Sequence, residues 1–215
     1  PEVTISELTP RKRRFFLKYL ARFLLLFESV KAKGSFLDNK RVIVTAAPHQ
    51  SGKDEYLMIL MILALDIDVC YLSAKWTMRR IPIPFIKPKD IDNQGIPWPL
   101  GWLQEIVFRK FGAIPVDRKG NSGQYDSVVQ ELLKRDNFLL IITPEGRFDA
   151  TRFRSSFLYL AKELEAEVMP VQIDYEHDTL QFLNSLNLDG SEEEVIQRLR
   201  FCFDGVKGRK SRFKA

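Results

Sequence analysis

The sequence predicts an α/β fold: a single domain with a mostly parallel central sheet flanked by helices, plus an amphipathic helix at its N-terminal end. Three observations lead there. Short apolar runs of strand length alternate with longer segments of helical period from residue 41 onward. One of the runs, "FLLIIT" at residues 138–143, is apolar enough to be a buried strand. The chain has 215 residues, 45% of them hydrophobic, which suits one domain with a sizeable core.

The elements follow in order. "RRFFLKYLARFLLLFESV" (Arg13–Val30) places Phe15, Phe16, Tyr19, Leu20, Phe23, Leu24 and Phe27 at helical spacing. Lys18 and Arg22 interrupt its apolar stretch, and about 20 apolar residues are needed to span a bilayer, so it is not expected to cross one. It reads as an interfacial helix, the alternative being an amphipathic helix packed on its own domain. "RVIVTAA" (Arg41–Ala47) is a strand, "DEYLMILMILALDI" a buried helix and "DVCYLSA" a strand. The proline-rich stretch from Ile81 to Gly101 reads as irregular chain. "GWLQEIVFRKFG" is a helix closed by Gly112, "AIPV" a short strand and "QYDSVVQELLKRD" a helix. After "FLLIIT" come the helix "SSFLYLAKELEA", the strand "EVMPVQID" and a further strand in "TLQFLNSL". A last helix opens with Ser191 as its cap and glutamates in its first turn. The expected organisation is an N-terminal interfacial segment (residues 1–38), a folded domain (39–205) and a basic tail (206–215).

Composition narrows the function. Net charge is +5, with basic residues concentrated in "RKRR" at 11–14 and in the last ten residues. A balance of that sign suits an anionic partner: nucleic acid, an anionic membrane or a phosphorylated substrate. Two widely separated cysteines, Cys70 and Cys202, make neither a disulfide framework nor a zinc spacing. No metal-ligand set is visible, and none is expected.

In open α/β sheets, ligands bind beyond the carboxyl ends of strands. Three polar clusters fall at such ends: His49 to Asp54, Asp117–Arg118, and Glu145–Gly146–Arg147. On an ideal helix a separation of five residues is about 140° of rotation, so His49 and Asp54 cannot meet mid-helix. They can meet if His49 lies in the strand-to-helix turn and Asp54 in the first helical turn, where side chains lean back toward the helix start. The carboxylate can then orient the imidazole as a base. Ser51 and Asp54 also resemble a capping box, in which Asp54 serves the helix alone. Arg118 and Arg147 can each present a guanidinium fork to a phosphate, or form a surface ion pair. Glu145, after Pro144 at the end of a buried strand, suits holding an arginine or a backbone amide.

Together these clusters resemble the glycerolipid acyltransferases, the lysophosphatidic acid acyltransferase superfamily. "PHQSGKD" is similar to its His-x4-Asp block, "GAIPVDR" to the second block, "TPEGR" to the third and "VMPVQI" (Val168–Ile173) to the fourth. Order and spacing agree from about Arg41 to Asp174. The resemblance implies that His49 is the general base and Asp54 its partner. It implies that Arg118 and Arg147 bind the acceptor's phosphate, with Glu145 and Gly146 shaping that site. It further implies an O-acyltransferase that moves a fatty acyl group from acyl-CoA or acyl carrier protein to a lysophospholipid such as 1-acylglycerol-3-phosphate. No resident cofactor or metal is expected, and the expected location is the cytoplasmic face of a membrane, peripheral or monotopic.

The sequence departs from the family pattern in places. Pro48 precedes the histidine where asparagine is common, Arg147 follows Gly146 with no intervening threonine, and Ser156 stands before Phe157 where glycine is usual. The altered third block bears on the acceptor, which can be another lysolipid or a glycolipid. Two other classes are weighed. A serine hydrolase lacks a G-x-S-x-G elbow here, and Ser51 is better explained as a cap. A nucleic-acid binder lacks aromatics interleaved with its basic residues, which lie at the chain ends.

Overall fold

A computed structural model of the chain describes residues 15–28, 30–34, 41–50, 52–64, 69–75, 78–81, 96–116, 123–135, 137–145 and 152–208. These residues form an α/β fold whose sheet pairing is mostly parallel. They divide into two compact units, one made of residues up to Val69 together with those from Asp136 onward, the other running from Cys70 to Arg135.

The first unit is built on β2 (Arg41–Ala47), β7 (Phe138–Ile142) and β8 (Glu167–Asp174). Strand β2 pairs parallel with β7 on one side, Arg41 opposite Phe138, and with β8 on the other, Val42 opposite Glu167. Val42, Ile43, Val44, Leu139, Leu140, Val168, Met169 and Val171 are all buried, as expected of strands covered on both faces. Strand β8 continues antiparallel into β9 (Thr179–Phe182), which pairs parallel with the three-residue β1 (Lys31–Lys33). The second unit pairs β3 (Val69–Ala74) parallel with β6 (Ala113–Val116). It also carries a small antiparallel hairpin of β4 (Arg80–Ile81) and β5 (Ile96–Pro97).

Proline inside a sheeted strand normally removes a ladder bond. Pro170 turns its bonding edge to the β9 side rather than to β2, its carbonyl accepting the N–H of Leu183 just past the last laddered pair, Val171 opposite Phe182. The return bond of that pair is the one proline cannot donate, so the ladder with β9 stops there while the pairing with β2 continues through Pro170.

Helix α2 (Gly52–Ala64) buries Leu57, Met58, Leu60, Met61, Ile62, Leu63 and Ala64. Helix α1 (Phe15–Leu25) packs along it: Ala21 is buried, the Arg22 side chain donates to the Ala64 carbonyl at 3.1 Å, and Glu28 pairs with Lys53 at 2.7 Å. Its opposite face is open. Phe16, Tyr19, Phe23 and, just past the helix, Phe27 fall on one stripe, with Phe16 75% and Phe27 74% exposed. The structure thus packs one face of this segment on its own domain and leaves the other exposed. No described helix is long and apolar enough to cross a membrane.

The remaining helices are α3 (Gly101–Lys110), α4 (Gly123–Leu133), α5 (Ser156–Glu163) and α6 (Glu192–Phe201). Helix α3 stops where Gly112 takes a φ of 94° and returns its N–H to the Arg109 carbonyl. Helix α6 opens with a complete capping box between Ser191 and Glu194.

Several expectations are corrected. The stretch read as irregular between Ile81 and Gly101 has the β4–β5 hairpin at its two ends; residues 82–95 lie outside the described ones. The strand sought in "TLQFLNSL" stops at Phe182, where β8 turns to Pro170 and ladder pairing ends. Strand β1 was not expected: Lys-Ala-Lys has no apolar alternation, and only pairing with β9 makes it extended.

Candidate active site

Because β2, β7 and β8 run parallel, their carboxyl ends lie along one edge of the sheet. His49 lies just past β2, Glu145 just past β7 and Tyr175 directly after β8. Helix α2 starts from the same edge and brings Asp54 in its first turn. All four belong to the first unit and all are buried, His49 at 4% exposure and Asp54 at 1%.

The turn into α2 sets the geometry. The Ala47–Pro48 peptide is cis, and His49 and Gln50 follow before the helix. Nδ1 of His49 is 3.6 Å from Oδ2 of Asp54, somewhat beyond hydrogen-bond length. The same Oδ2 accepts the backbone N–H of Gln50 at 2.7 Å. The other carboxylate oxygen, Oδ1, accepts the Tyr175 hydroxyl at 2.6 Å. Asp54 thus serves the helix start and faces the imidazole at once. The Gln50 amide is one residue earlier than the one a capping box on Ser51 would use; Ser51 lies outside the described residues. The positive end of the helix favours an anion in that turn.

Glu145 closes the other side. Both of its carboxylate oxygens lie 3.1 Å from the backbone nitrogen of His49, which donates between them. Burial pushes the Glu145 carboxyl above its ordinary range, an effect opposed by the His49 amide. Of the two roles open to Glu145, holding an arginine or a backbone amide, the structure presents the amide. Beside it, the Arg154 N–H donates to the Pro144 carbonyl at 2.8 Å.

Of the six site residues expected, the structure brings together His49, Asp54 and Glu145; Arg118, Gly146 and Arg147 lie outside the described residues. Tyr175 was not anticipated. It follows the fourth block directly, and the rule that ligands gather at strand ends points to it once β8 is taken to end at Asp174. Among the described residues no group of three or more His, Cys, Asp or Glu side chains is placed to hold a metal ion.

A buried imidazole thus faces a buried carboxylate at the ligand-binding edge of an α/β sheet. Residues 99–174 match the family model Acyltransferase. The match covers about a third of the chain and makes that segment similar to acyltransferases. It spans the second, third and fourth blocks, and the His-x4-Asp block lies upstream of it. Comparison with curated proteins gives no match.

Proposed function

We propose that the chain is a membrane-surface O-acyltransferase acting on a lysophospholipid such as 1-acylglycerol-3-phosphate, with acyl-CoA or acyl carrier protein as donor. The observation that carries this reading is the buried His49–Asp54 pair at the sheet edge of a chain with an acyltransferase segment. With Nδ1 turned to Asp54, Nε2 is the nitrogen that meets the acceptor. His49 takes the proton of the acceptor hydroxyl as its oxygen attacks the thioester carbonyl. The tetrahedral intermediate then collapses, the C–S bond breaks and the thiolate receives the proton from the imidazolium. An ester and a free thiol result. Asp54 stabilises the imidazolium formed in between. Arg118 and Arg147 supply the cationic cradle for the acceptor's phosphate, as the family resemblance implies.

A bilayer partner is supported by the open stripe of α1. Helix α3 likewise turns Trp102, Leu103, Ile106 and Val107 outward, beside Arg109 and Lys110. Aromatic and aliphatic side chains next to basic ones suit an anionic lipid interface. The cytoplasmic face of a membrane is the proposed location, peripheral or monotopic. A different acceptor, another lysolipid or a glycolipid, is the second reading, favoured by the missing threonine of the third block.

An acceptor panel with one acyl-CoA donor tests the proposal. Thiol release that requires a lysolipid is expected. Release without any acceptor would make the protein a hydrolase and sink the transfer reading.

A further inference from the structure

We propose that Tyr175 is the positioning residue of the His49–Asp54 pair, its hydroxyl fixing the direction in which the Asp54 carboxylate faces the imidazole. The inference rests on the reading of His49 as the base. The last torsion of an aspartate is broad and only weakly confined by its own rotamer well. A carboxylate 3.6 Å from Nδ1 therefore needs other groups to hold its plane. The Gln50 amide grips Oδ2 at 2.7 Å, and Tyr175 grips Oδ1 at 2.6 Å. One donor on each oxygen defines the plane.

Tyr175 is itself well held. Its ring is buried, and its N–H donates to the Lys207 carbonyl at 3.0 Å. Its neighbours turn elsewhere: Asp174 takes the His177 ring and two turn amides, and Glu176 pairs with Lys207 at 3.0 Å. A phenol is the suitable donor here, since it orients the carboxylate without bringing a charge that would compete with the imidazolium. Among the described residues, Tyr175 from the end of β8 and Glu145 from the end of β7 are titratable side chains that face the pair from other elements. Tyr175→Phe leaves Glu145 and its bond to the His49 amide in place, so a change in turnover reports on Asp54.

Turnover with a lysolipid acceptor falls about tenfold in Tyr175→Phe, the scale of one lost hydrogen bond to a charged group. The loss falls on kcat, with the KM values for donor and acceptor near the parent's, because the carboxylate supports a charge that forms only in the reaction. Asp54→Asn lowers kcat in the same way, and adding Tyr175→Phe to it lowers kcat no further. A kcat near the parent's in folded Tyr175→Phe, or a loss that adds in full to that of Asp54→Asn, overturns the proposal alone. A His49→Gln variant that keeps its turnover overturns the base reading and the positioning role together. A Tyr175→Phe chain with lower stability but unchanged kcat assigns Tyr175 to packing and also overturns it.

Discussion

Glu145 holds the backbone amide of His49 between its two carboxylate oxygens, each 3.1 Å from the nitrogen. The two residues are 96 positions apart, and the bond ties the end of β7 to the turn that carries the imidazole. Glu145→Gln keeps an acceptor for that amide and is expected to keep the fold. Glu145→Ala leaves the buried N–H without it, at a cost of about 1–3 kcal/mol, readable by denaturant unfolding. The pH dependence has a definite sign. Burial raises the Glu145 carboxyl in the fold, so between its ordinary value and the raised one the folded state binds more protons than the unfolded. This residue's contribution to stability therefore falls as pH rises through that window. The Gln variant should flatten that part of the stability profile, and a profile unchanged from the parent would contradict it.

His49→Gln should abolish most transfer, by about 10²–10⁴-fold, the usual range for a general base. Glutamine is chosen because His49 is buried and an alanine there would leave a void. Asp54→Asn should be nearly as damaging, since it removes the charge that supports the imidazolium. Circular dichroism on both variants separates lost chemistry from lost fold, and turnover near the parental level in folded His49→Gln contradicts the base role.

Arg118→Ala and Arg147→Ala should each raise the apparent KM for a phosphorylated acceptor far more than for the acyl donor. Unmade hydrogen bonds to charged groups cost about 1.5–3 kcal/mol, tenfold or more in affinity. An acceptor dependence equal to the parent's in both variants removes the phosphate-cradle role.

Replacing Phe16, Phe23 and Phe27 together by serine should reduce sedimentation with anionic liposomes while leaving the fold intact. These side chains are largely exposed and lie on the stripe facing away from α2. Cutting the chain near Lys40 is a poorer test than the sequence suggests. It removes the Arg22 bond to Ala64, the Glu28–Lys53 pair and the β1 strand, so the truncated chain is expected to be destabilised. Binding by the triple variant equal to that of the parent would exclude the stripe as an anchor.

Ser191→Ala removes one half of the α6 capping box, whose Ser191 hydroxyl accepts the Glu194 N–H at 3.3 Å. A loss of about 1 kcal/mol is expected in chemical denaturation. A loss below a few tenths would mean that the cap is replaced by solvent.

The alternation of strand and helix, the buried runs of β7 and β8, the Ser191 cap and the stop at Gly112 are all legible in the sequence. Each rests on residues close together: period, propensity and turn chemistry act within one or two turns of chain. The segments that carry the family resemblance are legible for the same reason, being short and ordered. The β1 strand is not legible, because Lys31–Lys33 becomes extended only by pairing with β9, far along the chain. Nor is the continuation of β8 into an antiparallel β9 that ends at Phe182, since strand direction is set by the partner rather than by the run itself.

For the site, the sequence by itself determined the chemical groups: an imidazole in a strand-to-helix turn, a carboxylate in the first helical turn, and a glutamate at a strand end. Their alignment came from the tertiary structure alone. Parallel pairing of β7 and β8 on either side of β2 brings Glu145 to the His49 amide and Tyr175 to Asp54, 121 positions away. Which oxygen of Asp54 meets which donor depends on the register of those strands. Register is decided by long-range burial of whole strand faces, and no local pattern around Asp54 encodes it.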